Sequence, residues 1–156
     1  MRNFFVIFLI VFCSACNKFS FTKKENFQQL DTIVDFTSVD TFPSFTVCDS
    51  LIDKNKKYNC FRNTIHKKIG EELLTYSLST KDTINETIFV DLIIDTKGKV
   101  HLEQLNSSEK IKTEFPELDS LLKLSVAKLP KIYPAIKRGI PVTSKYQLPI
   151  KIKLEN

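Results

Sequence analysis

Tryptophan is absent, methionine occurs once, and only three glycines and two histidines are spread over 156 residues. So little glycine, with no low-complexity tract, argues for a folded body. The histidines, His66 and His101, fall in different elements and have no metal-ligand spacing. No serine–histidine–acid order is visible, so no nucleophilic machinery is expected. After the first dozen or so residues no stretch is apolar enough to span a bilayer. A long proline-rich spacer is missing as well. These absences together give the expectation of a non-enzymatic protein with no metal and no cofactor.

What is present begins with MRNFFVIFLIVFCSACNK. Arg2 supplies a positive start, and Phe4 to Phe12 is an unbroken apolar run. That run is too short for a permanent membrane helix and matches the core of an export signal. Cys13-Ser14-Ala15-Cys16 then resembles a bacterial lipobox, which implies cleavage after Ala15 and lipid on Cys16. The signal would occupy residues 1–15. The alternative is an ordinary secretory signal cut nearby, leaving a free cysteine. Either way the mature chain folds outside the reducing cytosol. Its formal charge of +5 comes from lysines that alternate with acids along the chain. That pattern reads as a solvated surface suited to anionic headgroups rather than nucleic acid, which an exported protein rarely meets.

Residues 16–42 are mixed and polar and read as a tether and lead-in, with a short strand placed at Thr32 to Phe36. Cys48 and Cys60 follow. In an oxidising compartment two such cysteines favour one disulfide. It would close a loop of about a dozen residues and contribute roughly 3 kcal/mol. The DKNKKYN stretch inside it is expected to be a loop. Residues 61–77 predict a helix with Phe61, Ile65, Ile69, Leu73 and Tyr76 on one stripe.

Residues 86–105 carry the strongest signal. Ile88, Val90, Leu92 and Ile94 alternate with Phe89, Asp91, Ile93 and Asp95, and Asp95-Thr96-Lys97-Gly98 supplies a turn. Val100, Leu102 and Leu105 continue the buried face. Asp91 and Asp95 share the other face at roughly 13 Å, too far apart for a catalytic carboxylate pair. Asp91 is expected to be solvated and Asp95 to cap the turn. NSSEKIKTE reads as irregular, FPELDSLLKLSVAKLPK as a second helix, and KIYPAIKRGIPVTS as a structured loop. In the final strand Tyr146, Leu148, Ile150, Ile152 and Leu154 point one way, and Lys145, Gln147, Lys151 and Lys153 the other. Pro149 suits an edge strand or a bulge.

The order helix, hairpin, helix, proline-rich loop, strand resembles the C-terminal domain of TonB, in the form found in Bacteroidetes envelope lipoproteins. The likeness covers about Pro43 to Leu154. It is carried by Asp95, Gly98 and Val100 in the hairpin, and by Leu129, Pro130, Pro134 and Ala135 after the second helix. Gly139, Pro141 and Val142, then Pro149 and Ile150, complete it. The resemblance implies an α+β domain over 43–156, a three-stranded antiparallel sheet packed against two helices. It also implies that an extended partner segment is recognised by strand addition at a sheet edge. The candidate edge is Lys145, Tyr146, Gln147, Leu148, Ile150, Lys151, Ile152 and Lys153. The partner would be an outer-membrane transporter or another envelope protein. The chain lacks the permanent membrane helix and long arm of an energy transducer, so the expectation is an interaction module. An energy-transducing transport component and a structural envelope lipoprotein are the alternatives. Asn17-Lys18-Phe19-Ser20 is not the acidic run of surface-exported lipoproteins, so a periplasm-facing protein of the outer membrane is expected.

Overall fold

A computed structural model of the chain describes residues 33–76, 78, 80 and 82–154. The expected signal, Cys16 and most of the tether lie outside the described residues. Those that are described fall within one compact unit, Asp31–Asn156. Among them no helix is long and apolar enough to cross a membrane.

The elements run β1 (Val34–Asp35), α1 (Lys54–Leu73), β2 (Ile84–Ile94), β3 (Val100–Asn106), α2 (Glu109–Glu114) and α3 (Leu118–Ala127). Then come β4 (Ala135–Lys137), β5 (Ile140–Val142) and β6 (Ser144–Leu154). One sheet has the order β1-β6-β2-β3, and β4 and β5 form a second, two-stranded sheet. The described residues therefore form six strands in two sheets and three α-helices. This corrects the expected three-stranded sheet on two helices. The additions are short pieces. β1 pairs parallel with the start of β6, and β4–β5 is a hairpin inside the stretch read as a loop. Its two central residues, Arg138 (φ 52°) and Gly139 (φ 76°), are both left-handed, as a two-residue hairpin turn of this twist requires. α2 arises because the Ser108 hydroxyl accepts from Ile111 N–H at 3.2 Å, and Ile111 is buried.

α1 starts before the expected position. The Asp53 carboxylate accepts from Lys56 N–H at 2.8 Å and caps the helix. Tyr58 extends the Phe61, Ile65, Ile69 stripe back by one turn. DKNKKYN is thus a cap and two helical turns, not a loop. Cys60 bonds Cys48 from inside α1, with the Cα atoms 5.8 Å apart. The bond ties the lead-in to the helix. The lead-in is itself part of the core: Phe36 packs its ring 5.0 Å from Tyr146 and 5.7 Å from Phe61, centroid to centroid. Thr41 and Ser44 bridge Ile136 and Tyr133.

The even residues of β2 and β6 face the helices. Ile88, Leu92 and Leu148 are buried with Phe61, Ile65, Leu118 and Leu122 in one cluster. No described helix packs on the other, open face of the sheet, and Phe89 there is 42% exposed.

Candidate functional site

The hairpin turn fixes which way the backbone groups of β2 point; on β3 the direction set at the turn holds as far as Leu102, where the register shifts by one residue. Asp95 N–H donates to Lys99 C=O at 3.0 Å, and Gly98 N–H donates to Asp95 C=O at 2.9 Å. In an antiparallel ladder the direction alternates along a strand. Odd residues of β2 therefore aim their backbone at β3, and even residues aim at β6. β2 and β6 stay in one register from Ile84↔Leu154 to Ile94↔Ser144. Even residues of β6 consequently bond β2, and odd residues turn outward. Val34 N–H reaches Thr143 C=O at 2.9 Å on that same outer side. Pro149 stands opposite Phe89, in an outward position, so its missing donor costs the sheet nothing.

β6 is accordingly flanked on one side by β2 and on the other, among the described residues, only by the two pairs of β1. Beyond Lys145 the outward groups of Gln147, Pro149 and Lys151 meet no described strand. This is the stretch expected as an edge. Tyr146, Leu148, Ile150 and Ile152 direct side chains to the helix side, whereas Lys145, Gln147, Lys151 and Lys153 lie on the open face.

The open face carries a polar network. Asp91 is only 6% exposed, so it is not the solvated carboxylate expected. Gln147 Nε2 donates to its Oδ1 at 2.9 Å and Asn106 Nδ2 to its Oδ2 at 3.4 Å. Lys145 Nζ lies 3.3 Å from Asp91 and 2.6 Å from Glu103. Hydrogen bonds from Lys145 to Glu103 and then to Asp91 raise the pKa of its ammonium, keeping it charged. The cluster locks Lys145 and Gln147 at the start of the open edge.

Asp95 does cap the turn, accepting from Lys97 N–H at 2.8 Å and Lys99 N–H at 2.9 Å. Partial burial pushes its carboxyl up. The donors from Lys99, Lys97 and His101 outweigh this and hold it below the usual carboxylate range. His101 is exposed, and its Nε2 lies 3.6 Å from Asp95. His66 sits half-buried on α1, where desolvation, then the Arg62 charge, lowers its pKa. Among the described residues no three His, Cys, Asp or Glu side chains form a group able to hold a metal.

A second open margin lies at β3, the other end of the sheet. Between it and the C-terminal half of α3 runs an open groove of about 680 Å³. Sequence reading missed it, because the lysines around it come from two distant segments. No protein-family model, curated protein or solved structure matches the chain.

Proposed function

We propose that the chain is a lipid-anchored, periplasm-facing interaction module of TonB C-terminal type, without catalysis. Cys16 holds it in the outer membrane, and the outer edge of β6 receives an extended segment of an envelope protein, such as an outer-membrane transporter. The observation that carries this reading is the run of outward backbone groups at Gln147, Pro149 and Lys151, which no described strand covers. An added strand gains main-chain hydrogen bonds there, with one donor missing at Pro149. Buried Asp91 holds the Lys145 and Gln147 side chains beside the edge, so less freedom is lost when a strand is added.

A photo-crosslinking residue placed at Lys151 in living cells tests the proposal. The expected adduct is one envelope protein, attached through an extended segment and displaced by a synthetic peptide of that segment. No adduct at Lys151, or adducts indistinguishable from those at a residue of α3, would contradict it. The anchor is tested separately: radiolabelled palmitate should enter the wild-type chain and not Cys16→Ser.

A further inference from the structure

The margin of β3 differs from that of β6. Lys99 and His101 aim their backbone inward, at Asp95 and Ile93 of β2. Val100 and Leu102 therefore present N–H and C=O outward. Gly98 C=O, just before them, accepts from Ile132 N–H at 3.2 Å. The segment after α3 thus starts a pairing at the hairpin tip that stops after one bond. From there the groove continues along Val100 and Leu102, floored by Val126, Ala127 and Leu129. Its rim carries Lys97, Lys99, Lys123 and Lys131, and no carboxylate of the described residues lines it. Lys123 is held by Asp119 at 2.6 Å. Lys97, Lys99 and Lys131 have no salt-bridge partner among the described residues.

We infer that this groove is a second docking site, for an extended peptide segment bearing acidic side chains. The backbone edge supplies donors and acceptors for a strand of about five residues. Alternate side chains of that strand reach the apolar floor, and its carboxylates meet three lysines that no acidic side chain among the described residues pairs. Charge complementarity selects the sign of the ligand, and the backbone groups select a peptide over a lipid headgroup. The site is separate from the β6 edge and does not depend on the proposal made for it.

The test uses the isotope-labelled full chain in zwitterionic micelles, titrated with a capped peptide of about six residues alternating glutamate and valine. Amide shifts should centre on Val100 and Leu102 and leave Gln147 and Lys151 unmoved. Lysine in place of glutamate, or N-methylation of alternate peptide amides, should abolish them. Lys97→Glu, Lys99→Glu and Lys131→Glu combined should weaken binding about tenfold or more. Lys97→Gln with Lys131→Gln should weaken it to a lesser degree, and it serves if the triple reversal does not fold. No shifts at millimolar peptide would overturn the inference, as would binding that survives the charge changes. Shifts confined to Gln147 and Lys151 would also overturn it and assign the peptide to β6. Phosphatidylglycerol vesicles competing for the same lysines, with no response to peptide, would make the groove a membrane contact and refute the peptide.

Discussion

The carbonyl oxygen of Ile132 occupies the space a side chain at Gly98 would need: a Cβ built there would lie 1.6 Å from it. Gly98 also has φ +78°, a conformation L side chains rarely adopt. Gly98→Ala therefore has to open the hairpin tip or displace the segment after α3. A loss of about 3 kcal/mol or more is expected in urea unfolding. Gly70→Ala is the control, since nothing lies within 4 Å of its Cβ position. It should be neutral or stabilising by up to about 1 kcal/mol, because glycine is the poorer helix former.

Replacing Cys48 and Cys60 together by serine should lower stability by roughly 3 kcal/mol, from the separation of 12 residues that the bond closes. The sheet and α3 lie outside that loop, so the chain should still unfold cooperatively. Urea titration with and without reductant measures the difference. An unchanged midpoint would show that the Phe36, Phe45 and Phe61 packing alone holds the lead-in.

Asp91→Ala removes the common acceptor of Gln147 and Asn106 and one partner of Lys145. A cost of about 2 kcal/mol is expected, the range for stripping a buried polar cluster of its hub. Glu103→Ala breaks a pair whose two side chains are 40% and 37% exposed. It should cost under about 1 kcal/mol. Equal effects of the two substitutions would contradict the central place given to Asp91.

Burial, and then the neighbouring Tyr58, push the Tyr146 phenol up to about 12. Its ionisation is therefore resisted in the folded state. A folded pKa above the unfolded one gives stability that is intact below pH 10 and is lost as pH rises towards 12. Ultraviolet titration should show the Tyr146 phenol ionising only as the chain unfolds. Tyr146→Phe should flatten the alkaline decline.

How far the sequence foretold this structure depended on the length of each signal. β2 and β6 alternate over eleven residues each, and Asp95 and Gly98 mark the turn between β2 and β3, so these elements were legible. β1 has two residues and lies within the short strand expected at Thr32 to Phe36, whereas β4 and β5 have three residues each, too few for any period, and exist because longer elements hold them. The Ser108 cap was present in the sequence, but one buried isoleucine makes no stripe. Asp53 has the same capping chemistry, but the polar DKNKKYN run shows no apolar period and reads as a loop. Asp91 was correctly placed on the open face. Its burial was hidden because Asn106 and Gln147 come from neighbouring strands, and the pairing register depends on both ladders. The groove at β3 needs α3 and the hairpin tip side by side, which no local pattern states.

Amide hydrogen exchange along β6 tests the open edge most directly. The geometry predicts alternation: Tyr146, Leu148 and Ile150, bonded to β2, should exchange slowly, and Gln147 and Lys151, turned outward, should exchange orders of magnitude faster. Uniformly slow exchange from Tyr146 to Lys151 would mean that the outer edge is already occupied, and would contradict the proposal that it receives a partner strand.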